Sequence, residues 1–344
     1  MEKMDLSLLM NNNIPDDSPK CSVDTKKFCE QLSELLSKYN IGNTMQSFIE
    51  EIQSVPKVLL WRKDTGLSSF YFTEKYENKF FMSLLGHVNE GTILTKYTNT
   101  DGLKRMCNDN ECSMVSLVGM NDSKECTYAT QYMEDNGYNK ILDLSQDILI
   151  GTSSFITSFT TKYDDLTMWR LYGNDAKGVA IHYKTEELPQ DFYLAPVSYA
   201  DKEGNHPELL LLVKMTKILL DNCNFCFKNL YKWRYFFKSH EYNVEDEIRL
   251  LYISDKLNKN SKWITTGAGV IAPLVCFPIV DNGDSYQANA TIYPLHLVGT
   301  SLGPQFPEQS KNIETIRKMF KTKFGWTEKQ FGVSSSTISN YKNN

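Results

Sequence analysis

Residues 241–253 read EYNVEDEIRLLYI, which sets Glu245 and Glu247 two positions apart, with Arg249 two further on and an apolar run behind them. Residues two apart on a strand share a face, so a strand beginning this early would align both carboxylates and the guanidinium on one side. Such a pair suits general-base and charge-stabilising chemistry. One ionised acid stands opposite a developing cation, while the other orients or deprotonates an attacking group. The same residues also suit a salt-bridged sheet edge in which Arg249 simply neutralises Glu247. Asp246 would face the other way, and Glu241 belongs to the preceding loop.

Two further segments carry polar groups in regular spacing. Lys96-Tyr97-Thr98 closes the strand-like run TILTKYT, and Ser158-Phe159-Thr160 alternates hydroxyl and aromatic side chains. Tyr163, Asp164, Trp169 and Tyr172 follow closely; Trp169 and Tyr172, three apart on a short helix, fit core packing as well as a stacking platform. Asn121, Asp122 and Glu125 after CSMVSLVG fit an Asn-Asp capped turn. Cys223 and Cys226 form one CxxC with no second pair at zinc-ligand spacing, which points to thiols packed on an aromatic-rich helix. In FCFKNLYKWRYFFK (225–238), Lys228, Lys232, Arg234 and Lys238 alternate with aromatic residues. That pattern fits either a helix with snorkelling bases or a surface that stacks nucleobases and grips phosphate. A second basic stripe runs through Arg317, Lys318, Lys321 and Lys323.

The elements that must position these residues are legible in outline. Polar residues 1–20 read as a loose tail, and 21–88 as a helical N-terminal cap. Its first helix lies in SVDTKKFCEQLSELLSKYN, with Ser22 or Asp24 as N-cap and Phe28, Leu32, Leu35 and Leu36 on one face. Its second lies in TMQSFIEEIQSV, closed by Pro56. From Gly91 onward short strands alternate irregularly with helices, which favours an α+β domain over 89–344. Residues 206–238 read as one long helical stretch, IRLLYI as a strand, and KNIETIRKMFKTKFG as a terminal helix ended by Gly325.

Composition narrows the function classes. A net charge of −5 argues against coating nucleic acid by bulk electrostatics, while leaving room for a local basic patch. The weakly polar ITTGAGVIAPLVCFPIV is too short and too interrupted by Gly and Pro to cross a bilayer, and its glycines lack phosphate-loop spacing. The start MEKMDLSLLMNNNIPDDSPK lacks the basic, then apolar, pattern of an export signal. A cytoplasmic protein with its eight cysteines as free thiols is expected.

The order of a basic residue on an early strand (Lys96), a Ser-x-Thr strand end (Ser158, Thr160) and a Glu-x-Glu before a later strand resembles the Arg/His, Ser-Thr-Ser, Glu-x-Glu constellation of NAD-dependent ADP-ribosyltransferases. Residues 91–344 also resemble DUF2971, a bacterial domain-of-unknown-function family. That resemblance rests on KYT, MNDSKE, SFTTKYDDLTMWRLYGNDAKGVAIHY, EDEIRL and LGP in that order. Lysine replaces the usual Arg or His, and Ser-Phe-Thr replaces Ser-Thr-Ser.

The transferase resemblance implies split mixed β-sheets with flanking helices. It implies NAD as co-substrate, no metal, and an intracellular RNA or protein acceptor, in a toxin or anti-phage effector with a possible antitoxin or regulatory partner and no membrane. By that resemblance Glu247 would hold the ribose hydroxyl and offset an oxocarbenium-like ribose, and Glu245 would prepare the acceptor. Ser158 and Thr160 would brace Glu247 beside the nicotinamide ribose. Lys96, Tyr97 and Thr98 would contact the adenosine side, and Tyr163 with Trp169 would face the nicotinamide ring. Lys228, Lys232 and Arg234 would meet the acceptor. Two other classes fit the same residues: a binding protein whose acidic segment is structural, and a magnesium-dependent nuclease using Glu245, Glu247 and Asp122.

Overall fold

The computed structural model describes residues 23–63, 68–119, 123–138, 154–254, 261–265, 269–280, 291–339 and 341. The expected tail over 1–20, Asn121, Asp122 and the side chain of Glu125 lie outside the described residues.

Helix α1 (Thr25–Lys38) starts where the sequence places it. The Asp24 carboxylate accepts the Lys27 N–H at 3.0 Å and so satisfies one donor of the first turn. Phe28, Leu32 and Leu36 are buried. Helix α2 (Gly42–Ser54) packs on α1, and a hairpin of β1 (Leu59–Lys63) and β2 (Ser68–Phe72) leads into α3 (Glu74–Leu85). The first quarter of the chain is therefore helical with a β-hairpin inside it. Its apolar cluster is shared with much later residues, among them Met133, Ala195, Leu212, Trp233 and Leu251. The Glu77 carboxylate adds a polar tie, accepting the backbone N–H groups of Asn229 at 2.7 Å and Lys228 at 3.2 Å.

The chain continues through β3 (Ile93–Thr98), α4 (Thr100–Asp109), β4 (Glu111–Ser116), α5 (Ser123–Asp135), β5 (Ser154–Thr160), α6 (Leu166–Leu171), β6 (Val179–Thr185) and β7 (Phe192–Pro196). The segment expected to be one long helix instead breaks into several elements: β8 (Ser198–Tyr199), α7 (Pro207–Met215), β9 (Leu219–Leu220), β10 (Cys223–Phe225), α8 (Leu230–Trp233) and β11 (Phe237–Lys238). Asp221 and Asn222 adopt left-handed backbone, with φ of 48° and 64°, and turn β9 back onto β10, which joins β2 in parallel. Cys223 and Cys226 are buried thiols on and just after a strand, not on a helix. Then come β12 (Glu247–Ile253), β13 (Lys262–Thr265), β14 (Ile271–Pro278), β15 (Leu295–Leu302), α9 (Gln309–Phe324) and β16 (Gly332–Ser335). Gly325 closes α9 with φ of 71°, a conformation open to glycine without Cβ strain.

The result is an α+β protein built on a mixed ten-stranded sheet. Its path runs β13-β14-β4-β5-β3-β6-β15-β16, with β12 on β5 and β7 on β12. Most pairs are antiparallel, and β16 joins β15 in parallel. The sheet forks at β5. Strand β12 covers one edge of β5 along its whole length. The other edge is divided, with β4 at Phe155 and Ile156 and β3 at Thr160 alone. Gly178, entering β6, lies so close to β3 that an added Cβ would come within 2.2 Å of the Thr98 carbonyl oxygen.

Candidate active site around the Glu-x-Glu strand

The ladder decides which predicted residues can meet. Thr95 lies opposite Thr160, and Thr160 opposite Glu247; Ser158 lies opposite Arg249. These side chains share one face of the sheet, because neighbours across a ladder point the same way and residues two apart on a strand do too. Lys96 and Thr98 alternate with Thr95 and so point to the other face. The Lys96 ammonium donates to the Thr157 hydroxyl there, and Thr157 is the chain neighbour of Ser158 on the opposite side. Sequence order suggested that Lys96, Ser158 and Glu247 might share a cleft; the β alternation separates Lys96 from the other two.

On the Glu247 face the strand starts at Glu247, two residues later than the Glu-x-Glu spacing suggested. Glu245 sits on a 3₁₀ turn (His240–Glu245), and Asp246 bridges turn and strand in left-handed backbone with φ of 46°. The two carboxylates nevertheless converge, because a third group draws them together. Lys238 Nζ lies 2.8 Å from Glu245 Oε2 and 2.8 Å from Glu247 Oε2. Arg249 grips Glu247 with Nε at 2.7 Å from Oε1 and Nη2 at 3.0 Å from Oε2, and its Nη1 donates to the Tyr235 carbonyl. The Tyr172 hydroxyl donates to Glu245 Oε1. The Glu247 N–H donates to the Tyr199 hydroxyl oxygen at 2.9 Å, and Thr160 Oγ1 donates to the Glu245 carbonyl at 2.7 Å.

Glu245, Glu247, Lys238 and Arg249 are each no more than 6% exposed, so two acids and two cations balance out of water. Burial alone would raise the Glu247 carboxyl, but Arg249 and Lys238 together outweigh it and hold the pKa at about 2. Strand β12 lies between β5 and β7, so this ion pair is interior rather than at a sheet edge.

Solvent reaches the site through Ser158, which is exposed, and past Tyr172 and Tyr163, which are 46% and 51% exposed. The Tyr163 ring stacks on His182 with centroids 4.3 Å apart. His182 is buried, with Nε2 2.8 Å from Ser301 Oγ and Nδ1 3.2 Å from Thr95 Oγ1. Burial lowers its pKa to about 4 despite the nearby Asp164 carboxylate, so the imidazole is neutral at physiological pH. Trp169 is fully buried and braces the wall of the site: its Nε1 donates to Asp164 at 2.7 Å, and Tyr97 packs edge-on against it at 4.7 Å. The Tyr97 hydroxyl in turn holds the 162–165 loop, donating to the Lys162 carbonyl at 2.9 Å and accepting the Asp165 N–H at 3.0 Å.

The residues assigned to the acceptor lie elsewhere. Lys232 is buried and pairs with Glu74 at 3.0 Å, the Lys228 backbone is tied to Glu77, and Arg234 bonds its neighbour Tyr235 at 3.1 Å. Sequence reasoning missed Lys238 as a site residue, and also His182, Tyr172, Tyr199 and Ser301. Lys238 and Tyr172 were visible in the basic-aromatic run and on the Trp169 helix without a role in this site, and His182 alternates with Ala180 and Lys184 on the face opposite the apolar one. Among the described residues, no group of three His, Cys, Asp or Glu stands close enough to hold a metal ion.

Residues 168–250 match the model of the family described as Protein of unknown function (DUF2971), which bears out the family resemblance over a stretch running from the Trp169 helix to the Glu-x-Glu strand. No curated protein matches the chain. No solved structure matches it. No helix among the described residues is long and apolar enough to cross a membrane.

Proposed function

We propose that the Glu247 face of the forked sheet is a glycosyl-transfer site that consumes NAD and passes ADP-ribose to an intracellular macromolecule. One observation carries this reading: Glu247, with Glu245 drawn to it by Lys238, shares a face with the exposed Ser158 and with the Tyr163–His182 stack. An ionised carboxylate beside a hydroxyl-lined opening is the arrangement that favours an oxocarbenium-like ribose in the transition state. In this reading Glu247 stays ionised because Lys238 and Arg249 hold it so. Glu245 lies towards the acceptor with Tyr172, Ser158 contacts the ribose, and the open face of Tyr163 receives the nicotinamide. Lys96 and Thr98 take no part.

Purified protein should release nicotinamide from NAD, with the rate falling at least 100-fold in Ser158→Ala combined with Glu247→Gln, and at least 10-fold in Ser158→Ala alone, whose side chain is exposed and leaves the fold intact. Turnover equal to that of the parent in both variants would sink the assignment.

A second reading is favoured by the bidentate Arg249–Glu247 pair: a binding protein in which the EDEIR segment is an internal tie. It expects no nicotinamide release by any variant, and RNA or protein binding that survives Ser158→Ala.

A further inference from the structure

The fork in the sheet opens a pocket on the face away from Glu247. It encloses about 270 Å³ between β3, β4 and α4, with β13 and β14 forming the far wall. Lys96 and Arg105 stand at one end and Lys262 at the other, with Asp109 and Glu111 as the acids of the lining. The charges are not evenly matched. Glu111 pairs with Lys262, and both acids act on Lys262, raising its pKa. The other end has no ion pair of its own, although the exposed Asp101 carboxylate outside the lining acts on Arg105. Among the described residues neither Lys96 nor Arg105 is in an ion pair; the Lys96 ammonium donates to the Thr157 hydroxyl and lies over the Phe159 ring, and the nearby cation is Arg105.

A lysine drawn towards an apolar interior beside a like charge is costly, and burial together with Arg105 lowers its pKa. An anion seated between the two cations would remove that cost. The rest of the lining supplies hydroxyls at Thr98, Tyr183 and Tyr293, and an indole at Trp263 that is 61% exposed at the rim. Three cations against two acids leave one net positive charge in the lining, concentrated at the Lys96 end.

We propose that this pocket binds a small organic anion bearing a flat ring, of the class of a nucleoside monophosphate, with the anionic group between Lys96 and Arg105 and the ring against Trp263. Such a ligand uses every distinctive part of the lining: the Lys96 and Arg105 charges at one end, hydroxyls along the wall and an aromatic platform at Trp263. The volume lies just below the usual range of ligand pockets, which suits a ligand of mononucleotide size or smaller. The site is separate from the Glu247 face, because the sheet itself lies between them.

Adenosine 5′-monophosphate is the probe, titrated calorimetrically into the full chain. Saturable one-to-one binding is expected. It should weaken at least tenfold in Lys96→Met and in Arg105→Gln, the latter at an exposed helix position where folding is not at stake, and severalfold in Trp263→Ala. Uncharged adenosine should bind at least tenfold more weakly than the monophosphate. Ser158→Ala should leave the affinity unchanged, which separates this site from the one on the opposite face. Absence of saturable binding, or binding unaltered in both Lys96→Met and Arg105→Gln, overturns the proposal. Loss of binding in Ser158→Ala also overturns it, by moving the nucleotide to the other face.

Discussion

Arg249 holds Glu247 through two parallel contacts, Nε to Oε1 at 2.7 Å and Nη2 to Oε2 at 3.0 Å, in the interior of a ten-stranded sheet. The pairing fixes both rotamers, since a planar fork meets a planar carboxylate in one geometry. It also makes each partner indispensable to the other. Taking one charge from this buried cluster leaves it unbalanced even though Lys238 still faces Glu247, at a cost of about 3–5 kcal/mol.

Arg249→Met should therefore lower the free energy of unfolding by about 3 kcal/mol or more, read as a shift of the urea midpoint. Glu247→Gln should cost less, about 1–3 kcal/mol, because an amide oxygen can still accept from Arg249. A midpoint for Arg249→Met within experimental error of the parent would show that the pair contributes nothing.

Two groups predict acid sensitivity in two windows. His182 titrates near 4 in the fold against about 6.5 in an unfolded chain, so the unfolded state binds more protons as pH falls below 6.5, and stability drops progressively down to about pH 4. Glu247, lowered to about 2, contributes stability that is complete above about pH 4.5 and lost as pH falls towards 2. Each shift corresponds to roughly 3 kcal/mol at most. Burial raises Glu77 to about 7, so its protonation stabilises the fold as pH falls from 7 to 4.5 and offsets His182 there. Denaturant titrations from pH 8 to pH 4 should therefore show His182→Gln gaining stability relative to the parent as pH falls. A constant difference between the two proteins across that range would assign the pH dependence to other groups.

The Asp164 carboxylate gathers Trp169 Nε1 at 2.7 Å, Ser336 Oγ at 2.8 Å and the Thr337 N–H at 2.7 Å, joining the loop after β5 to the segment after β16. Asp164→Ala should release residues 336–339 first. Limited proteolysis should cut there at least tenfold faster than in the parent, while cleavage in α1 stays unchanged.

Gly178 enters β6 with no room for a side chain, its would-be Cβ meeting the Thr98 and Gly173 carbonyl oxygens at 2.2 and 2.7 Å. Gly178→Ala must move either β3 or the 173–178 turn. A loss of about 3 kcal/mol is expected, visible as a lowered Tm. An unchanged Tm would mean that the turn yields freely.

Local signals carried much of the fold. Asp24 caps the first helix where the sequence places it, and Gly325 ends the last one. Failure came where local and tertiary preferences diverge. The run 206–238 is apolar and aromatic enough for a buried helix, yet Asp221 and Asn222 turn it, and its aromatic side chains pack in a core assembled from distant segments. Site residues were legible in proportion to how near their partners lie along the chain. Glu247 and Arg249 are two residues apart, and their pairing was foreseeable. That Lys238 would bridge Glu245 and Glu247 depends on a turn that no short pattern encodes. Alternation in TKYT separates Lys96 from Tyr97, but only the ladder to Thr160 tells which of them faces the carboxylates.

The ion cluster at Lys238, Glu245, Glu247 and Arg249 also has a consequence for descent. Any single replacement strands a charge, so the positions can drift only together, and the intermediate sequences are the costly ones. Related chains should keep the quartet whole or exchange it as a set for apolar side chains of similar volume. A lineage that has exchanged it would hold the same sheet with the carboxylate chemistry gone.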